Sequence, residues 1–145
     1  METLHAPQGD FDLARYPKRD NDPLRAWDAA DEYLLQWLAE QPDTQLNTPP
    51  LLINDRFGSL SVALSQQKPI MLSDSLIAHC ATTANLQRNQ LESESVSYRS
   101  SLEWPEQQFD LIMIKIPKSL AMLEDQLIRL RPLLHAKTQV VAAAM

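Results

Sequence analysis

Leu51-Leu52-Ile53-Asn54-Asp55-Arg56-Phe57-Gly58 decides how the rest of this chain is read. Three apolar residues closed by a polar turn describe a short strand buried on both faces that delivers its carboxyl end into a loop. Where an open α/β sheet binds a nucleotide-type cofactor, that loop brings its backbone against the ligand. The approach takes two or three glycines, because side chains would block the ligand or forbid the positive φ of the turn. The chain has only two glycines, Gly9 and Gly58, and only Gly58 stands in this turn, with Arg56 and Phe57 filling the space before it. The stretch predicts a cofactor-binding architecture without its cofactor chemistry.

Working outward, apolar runs and helical stripes alternate. Upstream, Asp22 is expected to cap a helix with Pro23 in its first position and Leu24, Trp27, Ala30, Leu34 and Leu38 on one face, ended by Pro42. Residues 41–50, with three prolines, read as a linker into the strand. Downstream, the pattern predicts a helix over 57–66, a strand over 69–73, a helix over 75–89 and a strand near 95–98. Phe109-Asp110-Leu111-Ile112-Met113-Ile114-Lys115 is the strongest strand; a helix over 119–130 follows, and Thr138-Gln139-Val140-Val141 closes the series. Near-continuous apolar strands alternating with helices imply an α/β, Rossmann-like open sheet, mostly parallel, with helices on both faces. Residues 1–21 lack a sustained period and read as an arm or short edge element around Phe11, Leu13 and Tyr16. The whole of 1–145 is expected to be a single domain. A doubly wound sheet normally continues beyond such a last strand, so the chain reads as one half of a longer protein.

Composition narrows the function. Thirteen basic against 19 acidic side chains leave a formal charge of -6, whereas a free-standing phosphate-neutralising module is usually basic. RNA contact therefore has to come from a local patch or a second domain. The single Cys80 excludes an internal disulfide, fits a reducing compartment, and is accompanied by no zinc-type Cys/His spacing. No apolar run approaches the ~18 residues of a membrane span, and the start has no basic head or apolar segment of a leader. A cytoplasmic protein with no membrane partner is expected.

The residues also carry a resemblance. The run from Asp22 to Leu34 (Asp-Pro-Leu-Arg-Ala-Trp-Asp-Ala-Ala-Asp-Glu-Tyr-Leu), followed in order by Asn54-Asp55-Arg56-Phe57-Gly58-Ser59-Leu60-Ser61 and Lys115-Ile116-Pro117-Lys118, resembles the amino-terminal domain of bacterial ribosomal RNA guanine-N2 methyltransferases, in particular the 23S large-subunit type. The resemblance implies a degenerate S-adenosylmethionine-methyltransferase-type domain. In that family the carboxy-terminal domain carries the cofactor and an Asn-Pro-Pro catalytic motif, and this chain matches only the first domain. Asp55, Gly58 and Asp74 then stand at vestigial cofactor positions. Asp74 reads equally as a helix N-cap, in Ser73-Asp74-Ser75. In the place of Asn-Pro-Pro stands Lys115-Ile116-Pro117-Lys118, whose ammonium groups donate and cannot accept from a guanine amino group. No catalytic, cofactor-binding or metal residue is expected in this chain.

Other constellations weigh toward structure. His79 and Cys80 diverge by about 100° on their helix and read as filler rather than as a base and nucleophile. Asp28, Asp31 and Glu32 read as the solvated face of the first helix, Trp27 and Trp37 as core or interface, and Ser59, Ser61 and Ser65 lack the glycines of a nucleophile elbow. The RNA-contact candidates are Lys115 and Lys118, beyond a strand's carboxyl end, and Arg15, Lys18 and Arg19 in the arm. Arg129 and Arg131 are accounted for by the helix macrodipole. The expected function is a non-catalytic domain that positions ribosomal RNA for an absent catalytic domain. A structural module that stabilises the catalytic domain without touching RNA is the alternative. A self-sufficient small methyltransferase is disfavoured by the glycine count.

Overall fold

The computed structural model describes residues 2–41 and 46–144. Glu2–Ala6 (β1) and Gly9–Leu13 (β2) form an antiparallel hairpin of their own. The remainder alternates: α1 (Ala29–Ala39), β3 (Leu51–Ile53), α2 (Ser59–Ala63), β4 (Ile70–Leu72), α3 (Leu76–Arg88), β5 (Ser97–Arg99), β6 (Phe109–Lys115), α4 (Leu120–Leu130) and β7 (Leu134–Ala143). Strands β3 to β7 make one parallel sheet in the order β5-β4-β3-β6-β7. The α/β, Rossmann-like reading is therefore correct.

The sheet owes its burial to strands that are apolar on both faces. Leu51, Leu52 and Ile53 are completely buried, as are Phe109 and residues 111–114 of β6. Because side chains alternate across a strand, Leu52, Met71, Leu111 and Met113 enter one core with α1, α2, α3 and the hairpin. Leu51, Ile53, Ile70, Leu72, Ile112 and Ile114 enter a second core with Leu130, Leu133 and Trp104. On that second side α4 is only half covered, leaving Leu120, Leu127 and Ile128 exposed.

Two expectations about helix starts are corrected. Helix α1 begins at Ala29, not after Asp22. Asp28 accepts hydrogen bonds from the backbone N–H of Ala30 (2.9 Å) and Asp31 (3.2 Å), while the Asp31 carboxylate accepts one from the Asp28 N–H (3.0 Å). This reciprocal box needs an acidic or amide side chain three residues after the cap. Asp22 has Arg25 there, a cation at the positive end of a helix dipole, and instead closes a local turn by accepting from the Leu24 N–H at 3.0 Å. Pro42 lies outside the described residues, as do the others over 42–45 of the expected linker. Helix α3 is capped by Ser75, whose Oγ accepts from the Ala78 N–H at 3.1 Å, and not by Asp74.

The hairpin lies against the α1, α2 and α3 layer rather than at the sheet edge, and α3 holds it with two asparagines one turn apart. Asn89 accepts from the Asp12 N–H (2.8 Å) and donates to the Asp12 carbonyl (2.8 Å). Asn85 does the same at Ala14 (3.0 and 3.1 Å) and also donates to the Phe57 carbonyl (2.8 Å). These side chains satisfy backbone groups that would otherwise be buried without partners. Replacing Asn85 with Ala leaves three such groups unpaired in a fully buried place. The Asn85→Ala variant is expected to lose about 2–4 kcal/mol of stability in urea unfolding, against well under 1 kcal/mol (~0.5) for the exposed Gln87→Ala control.

Candidate functional site

In open α/β sheets a ligand enters beyond the carboxyl ends of the strands, where the strand order reverses. Here that place lies between β3 and β6, whose ends supply Asn54 and Lys115. The chain fills it with its own side chains. The Asn54 amide donates to the Lys115 carbonyl (3.0 Å) and to Gln126 Oε1 (2.9 Å) and accepts from Gln126 Nε2 (3.0 Å), stitching β3, β6 and α4 together. Asn54 takes φ 69°, a left-handed conformation that asparagine tolerates better than most residues.

Lys115 turns the other way, toward α1. Its Nζ donates to Asp28 Oδ2 (3.1 Å) and Asp31 Oδ2 (3.0 Å), and the residue is 7% exposed. Burial alone would lower the lysine pKa, but Asp31 and Asp28 outweigh it and raise it. Burial works against the Asp28 carboxylate as well, and the hydrogen bond and charge of Lys115 prevail, lowering its pKa. Asp31 behaves differently: burial, then the charge of Asp55, push it from 3.8 up to about 6. Asp55 is raised too, first by burial, although the Ser61 N–H (2.9 Å) and Oγ–H (2.8 Å) both donate to its Oδ2. Asp31 Oδ1 and Asp55 Oδ1 are buried without hydrogen-bond partners among the described residues. Three carboxylates facing one ammonium carry a surplus of negative charge, and a proton retained by the Asp31 and Asp55 pair relieves it.

Gly58 has a structural task. At φ 87° it opens α2, and a Cβ there would lie 2.5 Å from Thr82 Oγ1 and 2.8 Å from Thr82 Cα. Its missing side chain lets α3 approach the β3 turn, so the space a cofactor loop would offer to a ligand is taken by a helix. Asp74, at the end of β4, is exposed and accepts from the Ser101 N–H at 2.7 Å, the main reason that its pKa is lowered.

The structure divides the five expected RNA-contact cations. Lys115 turns inward: its ammonium is buried between Asp28 and Asp31, with two of its three donors committed to them. Lys118 is exposed after β6. Arg15, Lys18 and Arg19 come together around one small depression, joined by Arg25 and bordered by Asp22 and Glu2. The Arg15 guanidinium lies 4.9 Å from the Phe57 ring centroid and that of Arg56 5.4 Å from the same ring; Arg25 lies 5.0 Å over Trp27. Each of the three guanidinium heads thus lies over an aromatic face, and that of Arg25 also lies 3.9 Å from the Glu32 carboxylate. Arg129 is paired with Asp125 at 2.9 Å on the surface of α4.

Sequence reasoning missed Arg25, Asn85 and the inward roles of Asp28 and Asp31; Asp31 is 1% exposed, not part of a solvated face. The spacing of Asp28 and Asp31 was a usable capping signal. Nothing local pointed from Asp31 to Lys115, 84 residues away.

A family model described as the RLMG N-terminal domain matches residues 1–145. The chain is 44% identical over 148 residues to the ribosomal RNA large subunit methyltransferase G of Streptomyces griseus and 45% identical over 147 residues to that of Pseudomonas putida, with all of the chain covered in both. It spans only 38% and 39% of the length of these relatives. Among solved structures it is similar to the T. thermophilus 16S rRNA N2 G1207 methyltransferase RsmC in complex with AdoMet and guanosine (TM-score 0.64, 18% identity, 82% of this chain and 33% of that one). It is also similar to the glycopeptide N-methyltransferase MtfA complexed with sinefungin (TM-score 0.61, 9% identity, 97% and 59%). At these identities the two structures establish the fold.

The buried acids make stability depend on pH. With folded-state pKa values above the unfolded ones, Asp31 and Asp55 bind more protons in the folded chain; the Asp31 contribution is fully present below about pH 4 and is lost as pH rises through about 6, and that of Asp55 is lost in the same direction. The lowered Asp28 and Asp110 act oppositely, losing their contribution as pH falls below about 4. Urea unfolding is expected to show a stability maximum near pH 4–5 and a decline on the order of 2–3 kcal/mol by pH 7. Asp55→Asn keeps an oxygen for Ser61 and removes the charge facing Asp31. It should flatten the decline; an unchanged slope would show that Asp55 contributes nothing to it and that burial of Asp31 alone sets the decline.

Proposed function

The chain belongs to the RLMG N-terminal domain family, and from that premise we propose that it is the non-catalytic domain that positions ribosomal RNA for a large-subunit guanine-N2 methyltransferase. The observation that carries this reading is the basic depression. In a chain of net charge -6, four of the 13 basic residues, Arg15, Lys18, Arg19 and Arg25, converge on one surface feature. A phosphate backbone is the ligand such a cluster suits, since guanidinium groups pair with phosphate oxygens in fixed fork geometry. Lys118 adds a further exposed cation beyond the carboxyl end of β6.

Methyl transfer belongs, in this reading, to the remaining length of the protein. The residues at the switch point do not fit S-adenosylmethionine. A ribose and methionine cradle needs open backbone, and here Asn54, Gln126, Lys115, Asp28 and Asp31 hydrogen-bond to one another across the crevice. Nor do Lys115 and Pro117 offer the side-chain acceptor that a guanine amino group requires. The domain contributes orientation: it holds RNA phosphates at a fixed distance from the catalytic half, converting part of the substrate's rotational freedom into binding. A cytoplasmic location fits this work, and no helix among the described residues is long and apolar enough to cross a membrane.

A second role has its own observation. Leu120, Ile128 and Leu127 on α4 are 69%, 63% and 42% exposed, and Val140 of β7 is 41% exposed on the same side of the sheet as Ile112. Strand β7 also offers a ten-residue edge that pairs with no other strand among the described residues. Long open edges and apolar helix faces are normally covered. The occupant proposed is the remaining part of the protein, which makes up more than half of the relatives' length.

Fluorescence anisotropy with a labelled 23S rRNA fragment across a salt series tests the first role. Arg15→Ala/Lys18→Ala/Arg19→Ala should weaken binding at least about tenfold and reduce the log-log salt slope by about 2, or 0.7 per phosphate contact. An unchanged slope sinks the RNA reading. For the second role, the separately expressed carboxy-terminal part is expected to co-purify with the wild-type chain and to be lost with Leu120→Asp/Ile128→Asp. Equal recovery by both would remove α4 from the interface.

A further inference from the structure

Beside the basic depression, α3, β5 and Tyr16 border an open groove of about 400 Å³, walled by Tyr16, His79, Cys80, Thr83, Gln87 and Tyr98. Its volume lies within the about 300–1,000 Å³ of small-molecule sites and suits one nucleoside. The His79 and Tyr98 rings lie in tilted contact, with centroids 5.0 Å apart and planes inclined by 44°. The Tyr98 and Thr83 hydroxyls are 3.1 Å apart, which fixes the Tyr98 ring at the base of the groove. The His79 Nε2 is buried and has no hydrogen-bond partner among the described residues. Tyr16 is 43% exposed at the rim.

The groove and the basic depression meet at consecutive residues. Arg15 lines the depression and Tyr16 lines the groove, and their Cα atoms are about 3.8 Å apart, as in any trans-linked pair. Root and rim are both held: Asn85 grips the backbone of Ala14, and the Phe57 ring lies under Arg15. A strand whose phosphates lie on Arg15, Lys18 and Arg19 therefore has its next base beside the Tyr16 ring. Cations that track a backbone, set against aromatic rings that take bases, are the recognition chemistry of unpaired nucleic acid. Bases inside an RNA duplex are already stacked and cannot enter such a groove.

From this juxtaposition we infer that the Tyr16, His79 and Tyr98 groove receives one unpaired nucleobase of the RNA whose backbone lies on the basic loop. The inference rests on the RNA-positioning reading and adds to it the class of substrate: a single-stranded or bulged segment. The aromatic rings supply stacking, and the exposed Gln87 amide supplies polar groups for the base edge. Stacking of this type tolerates any base.

Cys80, the chain's only cysteine and half-buried in the groove wall, provides a direct reporter. Two labelled ligands are compared: a single-stranded RNA oligonucleotide, and one of the same length built from base-free spacers on the same phosphate backbone. The normal oligonucleotide should slow alkylation of Cys80 by iodoacetamide at least about threefold and the base-free one should not. Tyr16→Ala should weaken binding of the normal oligonucleotide about tenfold, leaving base-free binding and the salt slope unchanged, and Tyr16→Phe should restore it. Arg15→Ala/Lys18→Ala should weaken both ligands. Equal affinity for the two ligands with Cys80 unprotected would overturn the groove assignment and leave the basic loop intact. No salt-dependent binding of either would overturn the RNA reading and, with it, this inference. The Cys80 measurement uses the unaltered chain, so it stands even where a groove variant fails to fold.

Discussion

The Lys115 ammonium is desolvated at the carboxyl end of β6, and an ion so placed is tolerated only where oppositely charged partners replace its water. Asp28 and Asp31 are those partners, at 3.1 and 3.0 Å. The same two residues form the capping box of α1, so one charge cluster ties the strongest strand of the sheet to the first turn of a helix more than 80 residues earlier. Removing any member leaves either a buried charge or an unpaired helix end. The segment leading into α1, residues 14–28, carries the basic loop and is therefore anchored at both ends: by Asn85 at Ala14 and by Lys115 at Asp28.

That cluster also accounts for how a ligand crevice has become packing. The open strand ends of an α/β sheet present polar backbone groups that a bound ligand usually satisfies. Here Asn54 and Gln126 satisfy one another and the Lys115 carbonyl, and Ser61 satisfies Asp55. Gly58 admits α3: a Cβ there would lie 2.5 Å from Thr82 Oγ1. The closure is not free of tension, since Asp31 Oδ1 and Asp55 Oδ1 lack partners among the described residues. A retained proton lowers the electrostatic cost at the expense of stability at neutral pH.

The fold was legible because it rests on local signals. Leu51–Ile53 and Phe109–Lys115 are uninterrupted apolar runs, and α4 carries its stripe openly; each can be read without knowing its neighbours. Strand β7 was seen only over Thr138–Val141, because its outer positions are exposed and polar, which dilutes the pattern that burial imposes on inner strands. The hairpin was read as an arm or short edge element, since its partner groups are the side chains of Asn85 and Asn89 and not another strand of the sheet. The candidate site divided along the same line. Arg15, Lys18 and Arg19 are near neighbours in sequence and stayed together in space. Lys115 carries the same charge, but its surroundings are set by Asp28 and Asp31, 87 and 84 residues away, and no local pattern announces an ion pair of that separation.

A net charge of -6 and an RNA-facing role are compatible once distance is considered. At physiological salt a charge is largely screened beyond about 8 Å, so a phosphate at Arg15 responds to its immediate surroundings rather than to acids elsewhere in the chain. Nearby acids still matter: Asp22 and Glu2 border the depression and would hold its affinity for a phosphate below that of a wholly basic surface. Modest affinity suits a domain tethered to a catalytic partner. Two weak contacts on one rigid body act at high effective concentration, and each alone releases RNA readily. Strong binding at the positioning domain alone would hold every RNA, productive or not. On the proposed reading, a basic loop diluted by acids, beside a groove suited to unpaired bases, would make productive binding depend on both halves engaging the same RNA.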